Sequence, residues 1–150
     1  MSDSTATEPT RIFPALRYRD APAMIDWLQR AFGFRKHVVY EDEDGTVAHA
    51  QLTYGGGMIM LGSAKDDAFG QLVGPLDAGA RQTQTIYVAV DDPDAHHGIA
   101  SAAGAEIVMP LTDQHYGSRD YICRDPEGNL WCFGSYWPKA GEAPMPPVGG

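Results

Sequence analysis

The sequence predicts an α+β fold of two paired βαβββ modules, whose curved sheets surround a cleft with the helices packed outside. Three observations carry this. The same order of elements occurs twice: an apolar strand, a helix opened by Asp and Pro, and three strands separated by Gly-bearing turns. The interval from Asp20 to Gly33 equals that from Asp91 to Gly104. Finally, neither half could bury much core alone, whereas two packed together could.

The first module opens with a strand over 12–18. Asp20 then caps a helix with Pro22 in its first turn, where a missing N–H costs nothing because the early donors have no intrahelical partner. Met24, Trp27, Leu28 and Ala31 recur at helical spacing, with Asp26, Gln29 and Arg30 on the other side, and Gly33 ends the helix. Strands follow at 35–41, 47–53 and 58–62. Their turns are Asp42-Glu43-Asp44-Gly45 and Tyr54-Gly55-Gly56-Gly57. The second module repeats the plan with a strand at 85–90, Asp91 and Pro93 opening a helix, Ile99, Ala102 and Ala103 along it, and Gly104 after it. Strands at 106–109, 118–124 and 130–136 complete it, the last two joined by Asp125-Pro126-Glu127-Gly128. The modules therefore span 11–62 and 85–137. The segment 63–84 is a long connection lying over or beside the sheets. Residues 1–10 read as a flexible arm, and 138–150, rich in Pro and Gly, as a disordered tail.

Composition narrows the function. The 150 residues are 43% hydrophobic and 21% charged, too apolar a chain to stay disordered. Eleven basic against twenty acidic side chains leave a net charge of −9, which repels a phosphate backbone and admits a cationic small ligand. Nucleic acid is thus not an expected partner. A membrane is not one either, since no apolar run approaches the roughly 18 residues of a spanning helix. The opening MSDSTATEPT has no apolar core and does not read as a secretory signal. Cys123 and Cys132 make no disulfide framework, so a reducing cytoplasm is the expected location.

The phrases PALRYRDAPAMIDWLQRAFGF, QTIYVAVDDPDA and YICRDPEGNLWCFGS resemble the vicinal oxygen chelate superfamily, which includes glyoxalase I, extradiol dioxygenases, fosfomycin-resistance enzymes and bleomycin-binding resistance proteins. The resemblance covers about 11–137. It implies a homodimer whose cleft includes both chains. It also implies a divalent cation held by His or Gln, Glu, His and Glu on the first and last strand of each module. Here the matching positions carry Phe13, Met60, Thr85 and Cys132, and the neighbours Ile12, Ile59, Ile86 and Trp131 are apolar. Phe has no donor atom, Met is a soft thioether and Thr a poor ligand, so no metal and no cofactor are expected.

Alternation along the strands assigns the cleft lining. Phe13, Ala15, Arg17, His49, Gln51, Thr53, Met58 and Met60 face inward from the first module. With a four-residue turn at 125–128, Thr85, Tyr87, Ala89, Arg119, Tyr121 and Cys132 face inward from the second. Leu16, Ala50, Leu52, Ile59, Leu61, Ile86, Val88, Val90, Ile122, Trp131 and Phe133 take the opposite face and pack on the helices. Phe13, Met58, Met60, Tyr87 and Tyr121 then offer apolar contact and His49, Gln51, Thr85 and Arg119 orientation, with Cys132 an inert thiol. Arg119 in such a place requires either a ligand anion or a nearby acid. His96 and His97 are placed on the exposed side of their helix, and His115 in a surface loop. The function expected is small-molecule binding by sequestration, with an antibiotic as one ligand class and no catalytic residue assigned. The alternative is a lyase, isomerase or dioxygenase with an unconventional metal site drawn from His49, Cys132 and His115.

Overall fold

A computed structural model of the chain describes residues 8–115 and 117–143. Most of the proposed arm and much of the proposed tail, at 1–7 and 144–150, lie outside the described residues. The first module comprises β1 (Ala15–Tyr18), α1 (Ala21–Phe32), β2 (Arg35–Glu41), β3 (Val47–Tyr54) and β4 (Gly57–Ser63). The second comprises β5 (Ile86–Ala89), α2 (Pro93–Ala102), β6 (Glu106–Asp113), β7 (Arg119–Arg124) and β8 (Leu130–Gly134). Each forms a four-stranded sheet, in the orders β1-β4-β3-β2 and β5-β8-β7-β6. The first and last strands of each module pair in parallel and the rest antiparallel, giving the α+β class.

Local chemistry sets the boundaries. The Asp20 carboxylate accepts from the Ala23 N–H at 3.1 Å and starts α1, and Gly33 ends it at φ 88°, a left-handed conformation that L side chains resist. In the second module the capping residue is Asp92, not Asp91: its carboxylate accepts from the Ala95 N–H at 3.1 Å. β1 starts later than the sequence suggests, after Pro14, which has no N–H to give to a ladder. β6 runs beyond 109 as an edge strand, with Pro110 accommodated where the register shifts between Met109 and Thr112.

One apolar cluster joins the modules. Met24, Trp27, Leu28, Ala31 and Phe32 of α1 bury with Leu52, Ile59 and Leu61 of the first sheet and with Tyr121, Trp131 and Phe133 of the second. The Phe32 ring lies 5.2 Å from Trp131 and 4.6 Å from Phe133, centroid to centroid. Burying each such side chain contributes about 1.5–3 kcal/mol. Polar contacts cross the same seam. Trp27 Nε1 donates to the Ala103 carbonyl at 2.8 Å, and the N–H groups of Arg19 and Asp20 donate to the Glu127 carboxylate at 2.6 and 2.9 Å. The segment after β4 threads past both modules: Gln82 donates to the Gly128 carbonyl and accepts from the Leu130 N–H.

Candidate functional site

The modules share a core on their helix-bearing sides, so the opposite face of each sheet is left open. On the first sheet, Ala15 of β1 lies beside Met60, which pairs with Gln51, which pairs with Val38. Met58 pairs with Thr53 in the next row, as the sequence predicts for a turn at Tyr54–Gly57. Gln51 Nε2 donates to His49 Nε2 at 3.0 Å, which puts the ring proton on Nδ1, and Tyr40 stacks on the imidazole at 6.3 Å. Arg17 donates to the Ser63 carbonyl and lies 4.7 Å from the centre of the Phe69 ring, brought over the sheet end by the connecting segment. Phe13 is half-buried just ahead of β1.

The open face of the second sheet differs from the expected one. Asp125 to Asn129 form a five-residue turn, closed by Asp125 N–H to the Asn129 carbonyl and by Gly128 at φ 96°. The extra residue moves the register by one: Ile122 pairs with Cys132 and Tyr121 with Phe133. A shift of one residue exchanges faces. Tyr121 therefore enters the core, fully buried, and Ile122 takes the open face that Tyr121 was assigned. The open row is Tyr87, Cys132, Ile122 and Met109, followed by Ala89, Gly134, Asp120 and Thr112. Thr85 is exposed just before β5.

Arg119 shares the face of Tyr121 and meets acids rather than the open side. Its Nε lies 2.6 Å from Asp94 Oδ1 and its Nη1 3.1 Å from Asp113 Oδ1, and these hydrogen bonds raise its pKa. His96 is also displaced from its expected place. Because α2 starts one residue later, its faces turn by about 100° relative to the prediction. The half-buried imidazole accepts from the Tyr121 hydroxyl at Nδ1 (2.6 Å) and donates from Nε2 to the Phe32 carbonyl (2.9 Å). Burial lowers its pKa. Burial also raises the Cys132 thiol to about 11, with Asp120 adding to it, so the sulfur stays protonated at neutral pH.

These donors do not suit a divalent cation. Phe13, Met60, Thr85 and Cys132 supply one protonated thiol, one thioether and one hydroxyl, and no carboxylate or imidazole replaces them. Among the described residues, no three of His, Cys, Asp and Glu gather to hold a metal.

A concavity not foreseen from the sequence lies between the modules, with a volume of about 1020 Å³. Phe32, Phe34, Tyr54, Val88, His96 and Ile99 wall it, Asp91 and Arg35 border it, and Met58 and Tyr87 reach it from the sheet faces. The one signal in the sequence was the run Gly55-Gly56-Gly57, which forms part of its rim.

Comparison with known proteins agrees with this architecture. A family model described as the glyoxalase/bleomycin resistance protein/dioxygenase superfamily matches residues 11–133. An uncharacterized protein of Mycobacterium bovis is 34% identical over 125 residues, covering 81% of this chain and 80% of its own. The crystal structure of TioX from Micromonospora sp. ML1 superposes with a TM-score of 0.66 at 37% identity, covering 83% of this chain and 97% of that one. At 14% identity, the fosfomycin resistance protein FosX from Mesorhizobium loti shares the fold, with a TM-score of 0.63 over 85% of this chain and 92% of its own. The repeated βαβββ modules, the register of both sheets and these matches together place the chain in the glyoxalase/bleomycin resistance protein/dioxygenase superfamily.

Proposed function

We propose that the protein sequesters a small organic molecule, without metal or cofactor, on the open sheet faces. The observation that carries this is the pair of sheet faces lined by Met58, Met60, Gln51, Tyr87, Cys132 and Ile122, where the donors needed for cation chemistry are replaced by apolar and weakly polar groups. Thioethers and aromatic edges adapt to planar or amphipathic molecules, and His49 and Gln51 add direction. A homodimer fits the same reading. Tyr87 is 38% and Met109 58% exposed, on a face that a second chain would cover and convert into a two-walled cleft. Antibiotics are the first ligand class to test, in a cytoplasmic protein that makes and breaks no bond.

The test is a thermal-shift screen of cationic glycopeptides and planar antibiotics, with Met60→Ala and Gln51→Ala beside the unaltered protein. A ligand at 100 times its dissociation constant should add about 2.7 kcal/mol of stability, and the two variants should reduce that gain. Stoichiometric Ni, Zn, Mn or Fe in protein purified without chelator, lost with His49→Ala, would overturn the metal-free reading.

A further inference from the structure

The internal repeat is broken at one place, and the break leaves the inter-module concavity. The turn between the paired residues Arg124 and Leu130 holds residues 125–129, whereas the turn between the paired residues Tyr54 and Gly57 holds only Gly55 and Gly56. The longer turn plugs the β1–α1 junction, where the Glu127 carboxylate receives the N–H groups of Arg19 and Asp20. The equivalent β5–α2 junction places Asp91 and Asp92 at the positions of Arg19 and Asp20, by alignment of the two capping residues. The turn that borders it offers Gly55, Gly56 and Gly57, which have no side chains to dock. Among the described residues, neither the Asp91 nor the Asp92 N–H meets an acceptor, and the Asp91 carboxylate meets no donor or cation.

We propose that this concavity is a second binding site, for a planar aromatic cation whose ring lies among Tyr54, Val88, His96 and Ile99 and whose charge rests on Asp91. At the first junction the backbone N–H groups hold Glu127 while the Arg19 guanidinium donates to the Leu76 carbonyl. At the second the Asp91 carboxylate borders the concavity itself, and that negative charge favours a cation there. Tyr54 and Asp91 both line the concavity, and burial, with the Asp91 charge adding to it, raises the phenol's pKa, so a cation there meets a carboxylate and an aromatic ring together. His96 adds ring surface without charge, because both its nitrogens are engaged and its pKa is depressed. Arg35 borders the concavity from β2 and disfavours a cation at that end, which sets the orientation. The volume lies at the upper end of the range typical of drug-sized ligand sites.

The experiment is a fluorescence titration with proflavine, a planar dye that is cationic at neutral pH. Saturable binding of one dye per chain is expected. Asp91→Asn should weaken it on the order of three- to fivefold, the scale of one partly exposed charge pair, and Asp91→Lys should weaken it further. Gly56→Phe should block it, since a side chain there meets no atom within 4 Å and Gly56 needs no positive φ. Gln71→Ala, outside both the concavity and the sheet faces, should leave affinity unchanged, whereas Met60→Ala reports dye held on the sheet faces. Three results would overturn the proposal: no saturable binding, loss with Met60→Ala but not with the Asp91 variants, or affinity that falls as rising protein concentration lets a second copy fill the groove.

Discussion

The Tyr18 hydroxyl donates to Asp125 Oδ2 at 2.7 Å, joining the end of the first strand to the β7–β8 turn in a buried setting. The same oxygen accepts from Trp131 Nε1 at 3.1 Å, and Oδ1 accepts from the N–H groups of Glu127 and Asn129. The carboxylate is thus satisfied from both modules, although burial raises its pKa. Tyr18→Phe removes one donor and leaves the rest in place. We expect it to cost about 1–3 kcal/mol in urea denaturation, the scale for stripping a buried partner from a polar group. A loss below a few tenths would mean that the latch contributes little.

His96 gives the protein an acid-sensitive seam. Its folded-state pKa lies below the unfolded value of about 6.5 because burial opposes the charge. The unfolded chain therefore binds more protons as pH falls, and stability declines with it. The contribution of His96 is complete above about pH 6.5 and is lost as pH drops through the depressed value. Urea midpoints measured from pH 8 to pH 5 should fall, and His96→Gln should flatten that slope while lowering the midpoint at pH 8. An unchanged slope in the variant would assign the acid sensitivity elsewhere.

The two cysteines should respond differently to a thiol reagent. Cys123 is fully buried with its thiol raised to about 12, and Cys132 is half-buried on the open face at about 11. At pH 8 both should react far more slowly than free cysteine, Cys132 before Cys123, and both should become fast in denaturant. Rapid native labelling of Cys132 would contradict the inert thiol.

Gly134 should tolerate no side chain. An added Cβ would lie 2.8 Å from both Asp120 Cβ and the Tyr87 hydroxyl oxygen. Gly134→Ala should cost roughly 1–3 kcal/mol through overpacking. Gly56→Ala, facing open space, should be close to neutral in the same thermal melt.

The open faces lie on the sides of the two sheets opposite their shared core, and in the proposed dimer each face is completed by the partner's. The fourfold variant Phe13→His, Met60→Glu, Thr85→His and Cys132→Glu should therefore gain Ni²⁺-dependent stability only where a second copy brings its face across. The gain in melting temperature should grow with protein concentration. A concentration-independent gain would show that one chain holds the metal alone.

Element order, the start of the first helix and the first-module register were legible because each rests on local chemistry: Asp20 before Pro22, glycine at Gly33, and the reversal at Gly55 and Gly56. The second-module faces were not. A D-P-E-G run fits a four-residue turn as well as a five-residue one, and only the pairing of Asp125 with Asn129 decides it. That single residue sent Tyr121 into the core and Ile122 to the open face. His96 was misread for a related reason, since its face depends on whether Asp91 or Asp92 caps the helix. The inter-module concavity was out of reach because it is made by how two modules pack, a distance no local pattern encodes.

The contacts that hold the modules together do not depend on the chain that links them. Tyr18 to Asp125, Trp27 to Ala103, His96 to Phe32 and the Phe32–Trp131–Phe133 cluster all join one half directly to the other. The exposed stretch at 71–74 carries little of that burden. A chain opened there should behave as two fragments that recognise each other, so the fold offers a natural place for a split reporter.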